Sequence, residues 1–591
     1  MRTAIATLGG LAVLLLVGAC FDPTRPCSTN SDCVNGTCDP GTKTCISGGN
    51  PDDHTPPVFS IVVAPPPQRQ ATAKLTELDP GSPDGGVDAF RRDESVSVTV
   101  TSNDQDLDAG SVKLVVYGVS SNPGAALVVP LSPCGSGNPG ASSRLCRQAT
   151  VSLAPLPLEA FRAVVPLEVS GSDLSNNLGK ADAGVNVTRW KWRYSAGAPI
   201  YTTPAIADDG TIVFGTSDGA NGSLVALSAG GSEKWAVPLG PIRASPSIGP
   251  LQSGAQITYV GTAGRPSNLH ARFVADGSDA GTCLASTDAK AGGQIFGTLA
   301  IFTAAGLAGN YESATAFASQ QGLVTIRPRA QGPDQACLNS LSNAAQTPGQ
   351  NLVATDSALF LGTSDGAIRA FVFDSGSWAK NSNWSSGAGY VPVADGALGP
   401  LALTDRIYGT AKLRGGFAVR TSDGALIASG PDAGLANDPG GLVVGANRVF
   451  FDEYPGAQAS FYTALLDLAS LTSEVVSSGA FNAPVIGAGG NVYVLSADGG
   501  VSVRSPTGIL VWTAGVEPGQ SFQGSPTIDC ARDAGSVVSS TTGLLYAGST
   551  SGNFYAFLVD DRGLEPIAPW PKYQHDVRNT GNPSTPIQSC P

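Results

Sequence analysis

The chain has 591 residues, about four times the length of a usual domain, so a single core does not serve all of it. Only 14% of the residues are charged, and the acidic excess leaves a net charge of −13 at pH 7. That excludes nucleic acid as the partner, because such binding needs a basic footprint that displaces counterions. His54, His270 and His575 are the only histidines and lie far apart, which leaves little room for histidine-based catalysis or a histidine metal centre.

Residues 1–19 read as an export signal. Arg2 gives the positive start, and Leu8 to Val17 is an apolar run shorter than the roughly 20 residues of a membrane-spanning helix. The run ends in Val17-Gly18-Ala19-Cys20, which resembles a bacterial lipobox. The resemblance implies lipid attachment at Cys20 and, by the enteric sorting rule for Phe21, the outer membrane, on its periplasmic face or at the cell surface. The competing reading is an ordinary secretory peptide with a stray thiol at Cys20.

Export places the other ten cysteines where disulfides persist. Cys27, Cys33, Cys38 and Cys45 fall in a stretch rich in Asn, Gly, Asp and Pro and almost free of apolar residues. Such a module (residues 20–57, with its linker) has no core and needs covalent staples. A zinc site would want CxxC spacing or a nearby His, and neither is present. Four cysteines allow three pairings, and the sequence does not choose among them.

Residues 58–188 show short strands and turns without helical period. Ser95-Val96-Ser97-Val98-Thr99-Val100 alternates as a half-buried strand does. Further short strands separated by Gly, Asp and Asn turns suggest an immunoglobulin-like β-sandwich. Its last piece resembles the final strands of bacterial Ig-like domains. Cys134 and Cys146 are expected to pair across one loop. Asp104, Asp106 and Asp108 recur at alternate positions before Gly110 and look like the start of a calcium loop. Gly comes a place late and Val115 stands where a closing Glu would be, so the alternative is a solvated acidic turn.

From Arg189 the chain repeats. Ile212-Val213-Phe214-Gly215-Thr216-Ser217-Asp218-Gly219 matches Leu359-Phe360-Leu361-Gly362-Thr363-Ser364-Asp365-Gly366. A second strand follows each Gly turn, and then often a Trp, as at Trp235 and Trp512. The strands that open the units share a marker, with Pro204 and Pro246 spaced by 42 residues and Pro484 and Pro526 by 42. Weaker openings begin near Thr298, Leu352, Leu401 and Leu442. Periods in the forties with about four strands each mark a β-propeller over residues 189–575. Eight blades are expected, with seven as the alternative, and an all-β fold throughout. The units resemble the pyrroloquinoline-quinone (PQQ) type of repeat.

The tryptophans are expected to pack between blades. Arg189 to Tyr194 are expected to complete the last blade as its outer strand. Cys283 and Cys337, placed in insertions of the third and fourth units, are expected to pair across neighbouring blades. Cys530 and Cys590 are left for each other. The segment Pro569-Trp570-Pro571 running on to Asp576 is expected over the outside of the ring, before a tail at 576–591.

Repeat type and lipid anchor together resemble the BamB-like lipoproteins of outer-membrane barrel assembly. The resemblance implies a non-catalytic scaffold that engages a protein partner through propeller loops. A surface adhesin or a glycan-binding or glycan-active propeller is the alternative. A PQQ-dependent dehydrogenase is the third reading, but that family's adjacent paired cysteines are absent. No catalytic residue and no resident cofactor are nominated, calcium at Asp104, Asp106 and Asp108 apart.

Overall fold

The computed structural model describes residues 37–38, parts of 41–46, residues 53–65 and most of the chain from residue 78 on. The longer stretches outside the description are 1–36, 66–77, 121–125, 136–142, 285–294, 303–313, 327–336, 342–347, 385–389, 430–438, 454–458, 466–471 and 478–481. The export signal, Cys20, Cys27 and Cys33 therefore lie outside it. Thr37–Cys38 pairs antiparallel with Cys45–Ile46, and Cys38 is disulfide-bonded. The regular elements described are strands, and no described helix is long and apolar enough to cross a membrane.

Two compact units emerge. One comprises residues 1–72, 95–152 and 164–185. Residues 73–94 and 153–163, expected within the sandwich segment 58–188, belong instead to the second unit with residues 186–591.

In the first unit, Ser60–Ala64, Ser95–Ser102, Leu145–Ser152 and Ser132–Pro133 form one antiparallel sheet, in that spatial order. The Ser-Val alternation of Ser95–Ser102 buries Val96, Val98 and Val100 completely, as a strand with one wet face requires. A second sheet runs through Arg162–Ser172, Lys113–Tyr117 and Ala126–Val129. The Cys134–Cys146 disulfide is formed, with Cα atoms 5.4 Å apart, and ties the short edge strand to its neighbour.

The second unit is a β-propeller. Among the described residues it has eight antiparallel sheets, seven of four strands and one, the fourth, with a fifth strand at Tyr390–Pro392. The first four follow one another with inner strands at Ala205–Ile206, Ser247–Pro250, Ala300–Phe302 and Pro348–Ala354. The next three open at Leu398–Leu403, Pro439–Val444 and Val485–Ile486. The last has Thr527–Cys530, Gly543–Gly548 and Asn553–Val559, completed on its outside by Trp190–Ser195. Trp192 to Ser195 pair with Ala556 back to Asn553, so both ends of the repeat array clasp one blade. This is the closure the sequence order predicts, since a ring left open exposes two strand edges.

Neighbouring blades meet through tryptophan. Trp235, on the outer strand of the first blade, donates its Nε1–H to Val274 O of the second blade at 2.9 Å. Trp192 donates to Ala229 O of the first blade at 3.1 Å, and Trp384 to Thr421 O of the fifth at 2.6 Å. In each case the indole lies on a glycine of the receiving turn: Gly277, Gly231 or Gly424. These glycines have φ between 71° and 85°, and a Cβ there would sit 3.0 Å or less from the ring, so glycine is needed twice over.

Cys283 lies in Asp279–Leu284, the outer strand of the second blade, and Cys337 opens the outer strand Cys337–Leu341 of the third. The expected placement in insertions of the third and fourth units is thus corrected. Their pairing lies outside the described side chains.

Candidate functional site

The axis of the propeller is the first place to look for a ligand, because the inner edge of each innermost strand leaves its N–H groups without a ladder partner. Here those groups are taken by the chain itself. Ile206 and Ile248 donate to Val577 O and Arg578 O at 2.7 and 2.8 Å. Ile301 and Ala354 donate to Thr580 O and Gly581 O at 2.8 and 2.9 Å. Val444 and Ile486 donate to Trp570 O and Pro571 O at 2.8 and 2.7 Å. Six of the eight blades are thus bound by one segment, residues 570–581. Trp570 is 1% exposed, and Lys572, Gln574, His575, Asp576, Asn579 and Thr580 are all buried. The expectation that this segment lies over the outside of the ring is overturned. The inner strands needed partners, and the residues that follow the last blade supply them.

The segment crosses from the seventh blade to the first through a tight knot at 572–579. Gln574, His575 and Asn579 take positive φ of 61°, 76° and 57°, a conformation unusual for residues with side chains. The knot holds it by side-chain bonds. Asp576 accepts from the Thr580 hydroxyl at 2.9 Å and from the Arg578 and Thr580 amides at 3.0 Å. Gln574 donates to Leu299 O at 3.0 Å, and Asn582 to Ile301 O at 3.1 Å. Burial lowers the His575 pKa to about 4, so that ring is neutral. Beyond the knot, the expected Cys530–Cys590 disulfide pins the tail to the last blade, with Cα atoms 5.5 Å apart.

A cleft of about 920 Å³ opens at the seam between the first and last blades. Its walls carry Asp93, Lys191, Asp209, Lys234, Arg532 and several serines. Most of the charge is already committed. Arg532 bonds Asp529 at 2.6 Å, both side chains being nearly fully buried. Lys234 reaches Asp209 at 3.1 Å and the Thr211 hydroxyl at 2.7 Å, and Lys191 bonds Asp93. Burial opposes the charge on Asp209, but the Thr211 bonds and Lys234 outweigh it and hold the carboxyl below its usual range. Beside the seam, Asp560 accepts from Arg189 at 2.6 Å and from Arg92 at 2.8 Å. Arg189 lies over the Trp512 ring at 5.1 Å. This arginine pair was not visible in the sequence, because its partners come from segments hundreds of residues apart.

In the first unit the structure regroups the acidic repeat. Asp106 meets Asp53 and Asp173, each offering an oxygen within 4.8 Å of the others. Asp104 and Asp108 do not join them. Asp108 accepts the Gly110 amide at 2.9 Å, and Asp104 the Asp106 amide at 3.4 Å. Burial, with Asp104 and Asp53 nearby, pushes the Asp106 carboxyl up to about 7. Three carboxylates are the hard-oxygen donors calcium takes. Asp173 is itself satisfied by the Ser175 and Asn177 amides and the Asn177 side chain. Asp53 and Asp173 were missed because they lie 53 and 67 positions from Asp106 along the chain, on opposite sides of it.

No protein-family profile matches the chain, and no curated protein does. Among solved structures it is similar to BamB from Moraxella catarrhalis, at 14% identity and a TM-score of 0.42, over 62% of this chain and 99% of that one. It is likewise similar to Sqt1 from Saccharomyces cerevisiae, at 11% identity and a TM-score of 0.47, over 63% and 100%. A europium-containing methanol dehydrogenase gives 11% identity and a TM-score of 0.42, over 63% and 93%. The propeller assignment rests on the sheet topology above.

Proposed function

We propose that the chain is a non-catalytic, lipid-anchored binding protein of the bacterial envelope, whose propeller loops engage a protein partner. The observation that carries this reading is the filled axis. A cofactor or small substrate on the axis would have to displace a segment bonded to six blades. The buried pair Asp529–Arg532 and the partly exposed pair Asp560–Arg189 are also committed to each other rather than turned to a reacting centre. Contact then falls to the loops that lead into the inner strands. Between two of them, those entering the first and second blades, the exposed Arg243 guanidinium lies 4.8 Å over the Tyr201 ring, a paired cation and aromatic of the kind enriched at protein interfaces.

Crosslinking in intact cells followed by affinity capture tests the proposal. Recovery of barrel-assembly components supports the scaffold reading, and recovery of surface glycan or of another cell's proteins supports adhesion. A spectral shift and alcohol oxidation on adding the quinone and calcium to purified protein would overturn the non-catalytic reading. Membrane attachment is tested separately: Cys20→Ser should move the protein to the soluble fraction.

A further inference from the structure

Lys572 sits in the knot of the axial segment with no exposed surface. Its Nζ bonds Tyr573 O at 2.8 Å, Asp576 O at 3.1 Å, and Asn579 Oδ1. All three acceptors are neutral oxygens. A buried ammonium without a paired charge is poorly stabilised, and the group tends to give up its proton instead. Burial accordingly brings Lys572 down to about 7, with the Asp576 charge opposing. At neutral pH a large share of it is a free amine with a lone pair, in contact with a side-chain amide.

That amide is held as firmly as the amine. Asn579 is fully buried, and its Nδ2 donates to Thr203 O at 3.1 Å and Pro246 O at 2.9 Å. Two carbonyl acceptors on one side require the NH₂ group there, which fixes Oδ1 toward Lys572. The carbonyl carbon lies one bond, about 1.2 Å, beyond the oxygen the amine already touches. Burial keeps water from competing as the nucleophile. Two groups held together in a folded knot react with a high effective concentration.

We propose that Lys572 and Asn579 condense into an intramolecular isopeptide bond. The Nζ lone pair adds to Asn579 Cγ, and the Cγ–Nδ2 bond then breaks. One proton passes from Nζ to Nδ2, which leaves as ammonia from its place between the Thr203 and Pro246 carbonyls. Nothing is oxidised or reduced, and no co-reactant is consumed. Asp576, whose charge acts on Lys572, is the carboxylate nearest in sequence to carry that proton. The product is a neutral amide in place of a buried amine that contacts neutral oxygens alone. Because the Asn579 amide is oriented by Thr203 O and Pro246 O, which lie outside the axial segment, the bond is expected to form once that segment is seated.

The test is peptide mapping of the purified full-length protein, reduced and digested with trypsin. The bond predicts that Lys572 resists cleavage and that residues 563–578 and 579–591 emerge as one branched peptide, lighter by one ammonia than the two together. Lys572→Met should abolish the branch. Cleavage after Lys572, giving residues 563–572, 573–578 and 579–591 as separate peptides at full mass, would overturn the proposal and leave Lys572 a hydrogen-bonding hub. A succinimide at Asn579 removes the same mass but leaves Lys572 cleavable, and that result overturns it too.

Discussion

At the rim of the propeller, neighbouring blades are joined by an indole laid on a glycine turn; on its axis, six blades are joined by one length of chain. The rim joint recurs. Trp192, Trp235 and Trp384 each reach a carbonyl of the next blade and rest on its glycine. The axial joint occurs once, and its donors are backbone groups, so any residue but proline at Ile206 or Ala354 offers the same N–H. A repeated side-chain joint is distributed, and the loss of one leaves the others standing. A single axial segment concentrates the closure of the ring in a dozen residues. The two regions should therefore fail differently.

The largest effect is expected from ending the chain after Gly563. Six inner amides lose their acceptors, and the burial of Trp570 and the knot goes with them. Limited proteolysis should then cut between blades that are resistant in the full chain. If the shortened protein keeps the full chain's protease resistance and melting temperature, the axial segment is a passenger. Trp235→Ala should destabilise the propeller by about 3–5 kcal/mol in urea unfolding, as loss of a large buried aromatic does. The unfolding should remain a single transition, since the other rim joints survive. Cys590→Ser removes the link closing a 60-residue separation and should cost about 2–4 kcal/mol. The tail beyond Asn582 should gain most of the exchange, while the knot keeps its protection.

The smallest effect concerns the first unit. Asp106 keeps its proton up to about 7 when folded, against roughly 3.9 for an unfolded Asp. Between those values the folded chain binds more protons than the unfolded one. The stability of this unit should then be highest at the acid end of that window and fall as pH rises through about 7. Above it, the charges of Asp53, Asp104 and Asp173 face an ionised Asp106. Melting curves from pH 5 to 8 read this, and Asp106→Asn should flatten the slope. An unchanged slope in that variant would remove Asp106 as its source.

Legibility follows the same division between rim and axis. The rim is periodic, so the Pro-marked openings, the Asp-Gly turns and the tryptophans recur in register along the sequence. The clasp by Trp190–Ser195 followed from counting strands. Cys530 and Cys590 were paired by elimination, and the bond is formed. The axial segment has no repeat to align with. Its prolines around Trp570 read as a cap, and nothing local to Lys572 or Asn579 says that their partners lie on several different blades. The acidic group failed for the same reason: Asp104, Asp106 and Asp108 share a spacing, but the fold chose Asp106 and brought Asp53 and Asp173 to it. Sequence spacing exposes contacts made within a repeat and hides those made across the ring.

Hydrogen–deuterium exchange at the amides of Ile206, Ile248, Ile301, Ala354, Val444 and Ile486 tests the filled axis most directly. The account predicts that these six exchange as slowly as the ladder amides of the second strands, and that all six become fast together when the chain ends after Gly563. Fast exchange at these positions in the full-length protein would mean an open axis, and would contradict it.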